Sequence, residues 1–246
     1  DYLQGYRATT NDDTVARRLQ DVVRQVLPDV QLLTDPNPLM GSEDFSAYMT
    51  KAPGTFVLID QFVDRTHKRE SSFFGKGLVA HVSMAHPVSP RLRIHLASAA
   101  MAEGITVVRD GTYVCMEGPQ FSTLAESLTY KQLGYSVIGM TNMPEAKLAR
   151  EAEICYATVA MVTDFDCWHP DHDAVTVADI IKVLSANAEK AKRLVARMAK
   201  DFPREHEACP IGSDRALDNA LITAPEARDP ELIRKLDAVA GRVLKG

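Results

Sequence analysis

The order of apolar and polar positions divides the chain into helices and short buried strands. Between Asn11 and Leu27, Val15, Leu19, Val22 and Val26 recur on one helical face, while Asn11 can cap the amino end and Asp12 and Asp13 suit its positive pole. Pro28 stops that helix. A polar loop with Pro36 and Pro38 leads to Ser42, which can cap a second helix carrying Glu43 and Asp44 in its first turn and Phe45, Tyr48 and Met49 inward. Pro53-Gly54 ends it, and the apolar run at 55–60 predicts a buried strand. Farther on, Ser89-Pro90 is a cap followed by proline at the first helical position, opening a helix that runs to Gly104. Segments 105–109 and 112–116 flank Asp110-Gly111, which predicts a hairpin. Thr123 and Glu126 form a capping box for a helix ending at Gly134. Strands at 137–140 and 154–163 enclose a helix at 144–151, and a long helix follows at 177–200. This alternation predicts an α/β domain with a largely parallel sheet.

Length and composition narrow the class. The 246 residues, 46% hydrophobic and 25% charged, suit one large domain or two small ones and oppose disorder, collagen or coiled coil. A net charge of -5 gives no basic footprint for a phosphate backbone, so no nucleic-acid partner is expected. The longest apolar runs, such as 154–162, fall short of the ~20 residues of a bilayer span, and no leader pattern opens the chain. A cytoplasmic protein without a membrane partner is expected. Cys115, Cys155, Cys167 and Cys209 form no C-x-x-C pair and read as reduced thiols.

Ligands of open α/β sheets bind beyond the carboxyl ends of the strands, so the residues after each apolar run carry the candidate chemistry. They read Glu117-Gly118-Pro119-Gln120-Phe121-Ser122, then Met140-Thr141-Asn142, then Thr163-Asp164-Phe165-Asp166-Cys167-Trp168. An aromatic ring, a hydroxyl near a helix start and two carboxylates suggest a planar heterocycle beside an anion. In extended chain Asp164 and Asp166 point to one side. Such a pair can hold a divalent cation, hydrogen-bond the ring nitrogen and amine of an aminopurine, or cap the next segment on a solvated loop. His81, His86, His169 and His172 lack the spacing of zinc ligands, and no metal site is expected. Arg65 and Arg69 could offer charge to an anion, but they read first as solvated loop residues.

From about Phe56 onward the chain resembles the S-methyl-5'-thioadenosine phosphorylases of the trimeric purine nucleoside phosphorylase superfamily. The resemblance rests on Asp60-Gln61-Phe62-Val63-Asp64-Arg65-Thr66, the run from Glu117 to Ser122, Met140-Thr141-Asn142-Met143-Pro144-Glu145, and the run from Thr163 to Trp168. It implies a phosphorylase-type mixed α/β sheet flanked by helices, and phosphate-dependent cleavage to adenine and 5-methylthioribose 1-phosphate. Inorganic phosphate is then a co-substrate, no other cofactor is needed, and the assembly is a homotrimer. By the same resemblance Asp164 and Asp166 are the catalytic pair, Asp164 hydrogen-bonding N7 and the 6-amino group, while Phe121 stacks on the base. Met140 and Ile138 line the nucleoside site, Thr141 touches phosphate, and His81 from a neighbouring subunit joins Val177 and Ile181 around the methylthio group. Ser122 stands where 6-oxopurine enzymes of this fold resemble the motif with a glutamate, which points to adenine.

Residues 1–54 resemble something else. Asn11-Asp12-Asp13, Ala16-Arg17-Arg18, the run from Pro38 to Phe45 and Pro53-Gly54 are similar to the carboxy-terminal part of dinuclear-metal amidohydrolases such as hippurate hydrolase. The segment holds no histidine, so no metal ligand is implied there. The resulting division is 1–54, an α-rich tail-like segment, and 55–246, a phosphorylase-like domain lacking its first strands, its Gly-rich phosphate loop, an Arg-His pair and a further threonine. The alternative this leaves is an inactive chimera that only binds nucleoside or assembles.

Overall fold

Two small sheets, each completed by strands distant in sequence, organise the described residues. The computed structural model describes residues 54–169 and 177–245 and, as backbone alone, Ser46–Ala47 and 177–180; all of these lie within one compact unit, Glu43–Gly246. The expected helix at 11–27 and the inward-facing Phe45, Tyr48 and Met49 lie outside the described residues. In chain order the strands are β1 (Ser46–Ala47), β2 (Phe56–Leu58), β3 (Gln61–Arg65), β4 (Val107–Val108), β5 (Thr112–Met116), β6 (Val137–Gly139), β7 (Val159–Met161) and β8 (Asp164–Phe165). The helices are α1 (Pro90–Ala102), α2 (Leu124–Gln132), α3 (Asn142–Glu151), α4 (Val177–Asp201), α5 (Pro230–Lys235) and α6 (Asp237–Leu244).

The larger sheet runs β3-β5-β6-β1-β8 and the smaller β4-β2-β7. Strands β3, β5 and β6 are parallel, with Val63 opposite Val114 and Val114 opposite Ile138. Strand β1 is antiparallel to β6 and parallel to β8, while β2 is parallel to β4 and antiparallel to β7. The sheets are therefore mixed, with a parallel core, rather than largely parallel throughout.

Three expectations are corrected. Ser46 and Ala47, placed in a helix by the capping signal at Ser42, are extended and bridge β6 and β8, because flanking strands outweigh a local cap. A strand from the segment before residue 55 thus enters the phosphorylase sheet. Asp110-Gly111 is not a hairpin turn: β4 and β5 belong to different sheets and pair with β2 and β3. At that point the chain changes sheets, and the corner is stitched by Gly111 N–H to Asp60 Oδ1 at 3.0 Å and Asp60 N–H to Gly111 O at 3.1 Å. Gly111 is needed for close approach, since a Cβ there would lie 2.9 Å from Ser136 Cβ. The run at 154–163 likewise divides, only Val159–Met161 pairing in the smaller sheet before Asp164 enters the larger one.

Apolar burial joins these layers. Val57, Ile59, Tyr113, Cys115, Val137, Met143, Ala146, Ala160 and Val162 form one cluster with members from both sheets. Phe56 packs with Ala99 and Ala100 of α1, Ile105 and Leu194 of α4. Helix α4 is also tied by Asn187 Nδ2 donating to Val162 O at 2.9 Å and Lys190 Nζ to Gly54 O at 3.1 Å. The expected caps are present: Ser89 Oγ accepts from Leu92 N–H, and both halves of the Thr123 and Glu126 box are made. All four cysteines are thiols, Cys115 buried and the others half-buried. Among the described residues no helix is long and apolar enough to cross a membrane.

Candidate active site

Parallel pairing brings the carboxyl ends of β3, β5 and β6 together, with Arg65 opposite Met116 and Cys115 opposite Gly139. The segments that leave them, 66–69, 117–122 and 140–141, rise from one edge, where ligands of such sheets bind. Gly118 has φ +70°, and a Cβ on it would meet Met140 Sδ at 2.6 Å. The thioether of Met140 therefore lies on the glycine, joining the loop after β5 to the loop after β6.

The third motif closes on the first. Cys167 Sγ reaches Ser122 O at 3.9 Å, and Ser122 Oγ reaches Met116 Sδ at 3.6 Å. Asp166 accepts from Ser127 Oγ of α2 and, at 2.8 Å, from Cys167 N–H; Asp164 accepts from Thr163 Oγ1 at 2.7 Å. Around them, Phe165 stacks on His169 at 4.2 Å and Lys131 Nζ lies 3.4 Å over the Trp168 ring. Ile138 is buried beneath, packed with Val114, Tyr130 and Trp168. Phe121 is 65% exposed, presenting its ring outward from the same loop as Ser122.

Thr141 precedes α3, and the helix start is fixed by a hub that motif reading missed. The buried Asn142 Oδ1 accepts from Tyr156 Oη at 2.8 Å and Thr158 Oγ1 at 2.6 Å. The Tyr113 hydroxyl lies by Asn142 and Thr141, and burial pushes its pKa up to about 12, so it stays a neutral hydrogen-bonding group. The only hint in sequence was asparagine at a helix start, a role that capping alone explains.

The other expected site residues are His81, Val177 and Ile181. His81 is exposed and lines a separate cleft of about 380 Å³ with Ser71, Ser72, Met84, Lys147 and Glu151. Ile181 is 40% exposed on α4, and Val177 begins that helix. Among the described residues no group of three or more His, Cys, Asp or Glu side chains gathers as a metal cage.

Arg65 is exposed as expected, but Arg69 corrects the solvated-loop reading. Its Nη1 donates to Met140 O at 2.6 Å and Met143 O at 2.5 Å, its Nη2 to Glu117 O at 2.8 Å and Met116 O at 3.4 Å, and its Nε meets Glu117 Oε1 at 3.4 Å. Glu117 Oε2 in turn accepts from the N–H of His67 at 2.8 Å and of Lys68 at 3.3 Å. The His67 amide leads in holding the Glu117 carboxyl below its usual range, with the Lys68 amide and Arg69 adding to it against partial desolvation.

Asp64 is treated similarly. Burial alone would raise its pKa, but hydrogen bonds from Lys147 Nζ, Thr66 Oγ1 and Thr66 N–H outweigh that and leave it lowered. A carboxyl lowered on folding contributes stability that is full above its unfolded value, near 3.8, and is lost as pH falls through the folded value. Asp64→Asn is expected to cost about 1 to 2 kcal/mol at pH 6 and to flatten the loss of stability below about pH 4. Urea unfolding from pH 6 to pH 3 measures this, and an unchanged slope would contradict the pairing.

The architecture has relatives. Residues 50–200 match the phosphorylase superfamily. The S-methyl-5'-thioadenosine phosphorylase of Bradyrhizobium diazoefficiens is 87% identical over 194 residues, 79% of this chain and 67% of that protein. The protein of the same name from Cereibacter sphaeroides is 65% identical over 195 residues, with the same two shares. Among solved structures, a methylthioadenosine phosphorylase from an antarctic soil metagenomic library gives a TM-score of 0.73 at 44% identity, covering 80% of this chain and 69% of that one. Methylthioadenosine phosphorylase from Schistosoma mansoni in complex with adenine gives 0.63 at 30% identity, covering 66% and 64%. The match thus spans about two thirds of each relative's length. By these sequence and structural likenesses the chain belongs to the phosphorylase superfamily, among its S-methyl-5'-thioadenosine phosphorylases.

Proposed function

We propose that this chain cleaves S-methyl-5'-thioadenosine with inorganic phosphate, releasing adenine and 5-methylthioribose 1-phosphate. The observation that carries the reading is the contact of the 117–122 and 164–168 segments through Cys167 and Ser122, which joins the loop of the exposed Phe121 ring to the segment of the two carboxylates. In the reaction the bond from C1' of the ribose to N9 of the purine breaks, a phosphate oxygen bonds to C1', and the base leaves carrying a proton. The developing charge is on the leaving purine, so a group beside N7 that shares a proton lowers the barrier. That group is Asp164, with Asp166 held by Ser127 and Cys167 as its companion on the base edge. Phe121 stacks on the purine, Ser122 suits an amino substituent, and Met140 packs under the ribose with Ile138 behind it.

Phosphate is the co-substrate and no metal or organic cofactor takes part; Thr141 supplies one of its contacts. The working assembly is a homotrimer in the cytoplasm, with His81 of one subunit joining Val177 and Ile181 at the methylthio group. Residues 1–54 derive from an amidohydrolase tail, and 55–246 form the phosphorylase-like domain. No observation favours the inactive chimera over the enzyme.

Incubation with methylthioadenosine and phosphate, with adenine release followed, tests the reading. Turnover is expected to require phosphate and to favour methylthioadenosine over inosine by at least about 100-fold in kcat/KM, the scale on which a site built for a substrate's hydrogen-bonding group rejects an analogue without it. Phosphate-independent release would refute phosphorolysis, and equal or reversed preference would refute the role given to Asp164 and Ser122.

A further inference from the structure

Arg69 has no role in the reaction as proposed, yet it ties together two of the loops that carry site residues, those after β5 and β6. The side chain is half-buried, and its guanidinium holds carbonyls on two segments that are 47 to 74 residues away in sequence. The Met116 and Glu117 carbonyls immediately precede the run from Gly118 to Ser122. Those of Met140 and Met143 bracket Thr141 and Asn142. A peptide unit is planar, so fixing a carbonyl also fixes the N–H on its far side and the direction in which the next side chain leaves.

The strap that carries Arg69 is itself anchored. At its start Thr66 is bound to Asp64 through both N–H and hydroxyl, at 2.8 and 2.7 Å, and Asp64 is paired with Lys147 of α3. At its end the amides of His67 and Lys68 are taken by the carboxylate that meets Arg69 Nε. Glu117 thereby serves as counter-ion to the arginine and as acceptor for the strap. This leaves the two Nη groups, at the edge of the guanidinium plane, to the loop carbonyls.

Resting on the functional reading above, we infer that Arg69 is a positioning residue for the phosphorolysis site: a fork that sets the loop of Phe121 and Ser122 against the loop of Met140 and Thr141. Its planar set of donors is what the task needs. A lysine carries the same charge as a compact point on a flexible stem and cannot satisfy carbonyls from both loops at once. Reacting groups displaced by about 1 Å cost on the order of 100-fold in rate.

The test uses Arg69→Lys in the full chain. Nucleoside kcat/KM is expected to fall about 100-fold with a lower kcat as well as a higher KM, because both reactants are misplaced. Amide hydrogen exchange, read without any ligand, is expected to quicken together in peptides covering 117–123 and 140–146, and to stay unchanged in α5 and α6. Retention of more than a third of wild-type kcat/KM would overturn the inference, as would unchanged exchange at either loop or faster exchange throughout the chain. Should Arg69→Lys fail to fold, Arg69→Gln, which keeps a planar pair of N–H donors, is read by the same criteria. Wild-type protein with no phosphorolysis would refute the functional reading instead, and the exchange comparison alone would then decide whether Arg69 fixes the two loops.

Discussion

Asp164→Asn is expected to lower kcat for methylthioadenosine phosphorolysis by about 100- to 1000-fold, a loss of roughly 3 to 4 kcal/mol of transition-state stabilisation. The substitution is nearly isosteric. Thr163 Oγ1, which donates to Asp164 Oδ1 at 2.7 Å, can keep its bond to the amide oxygen. What is lost is a group able to share a proton with the departing base. The amide still donates to a ring nitrogen in the ground state, and KM should therefore move little while kcat and kcat/KM fall together, the mark of an interaction made mainly in the transition state. Steady-state kinetics on the purified variant, with circular dichroism to verify its fold, give the answer. Turnover within threefold of wild type would remove Asp164 from the mechanism.

Phe56→Ala should cost about 3 to 5 kcal/mol of folding stability, the scale of deleting a fully buried aromatic side chain. Phe56 has 0% exposure and packs between Ala99 and Ala100 of α1, Ile105 and Leu194 of α4. Its backbone is held in the centre of the smaller sheet, opposite Val107 on one side and Met161 on the other. Two of its side-chain neighbours are alanines, which cannot swing in to refill the space. The cavity therefore persists, and its cost adds to the lost transfer free energy. Against a total stability of about 5 to 15 kcal/mol this is a large share. Phe56→Leu, which keeps most of the volume, should lose distinctly less. Urea denaturation of both variants measures the difference; equal losses would show that ring packing is not what Phe56 contributes.

Asp164 and Arg69 differ in how far the sequence announces them as candidates. Asp164 was legible because a D-x-D after an apolar run is a local pattern in which two carboxylates share one side of extended chain. Its setting was not: Asp166 is met by Ser127, 39 residues away, and Ser122 by Cys167, 45 residues away. Arg69 was misread for the same reason. Its acceptors are carbonyls, which every residue has, so no spacing of residue types announces them. His81, placed by resemblance at the methylthio group, lines a cleft with Lys147 and Glu151 in the subunit, a juxtaposition that no motif encodes.

The sequence by itself determined the features that depend on neighbours within one helical turn. The Ser89 cap, the Thr123 and Glu126 box and the starts of α1 and α2 fall where the residues predict, because cap and amide are three positions apart. It also determined the chemical inventory at the strand ends. Tertiary structure alone decided which sheet each strand joins. The apolar run at 55–60 divides at Ile59 and Asp60, and the chain crosses from β4 to β5 at Asp110-Gly111 instead of folding back, since a strand's hydrogen bonds are made to partners far along the chain and its own residues do not name them. The same dependence on distant partners turned Arg69 from a solvated loop residue into the tie between two loops: a charge is buried where the fold supplies acceptors, and those acceptors exist only once β5 and β6 lie side by side.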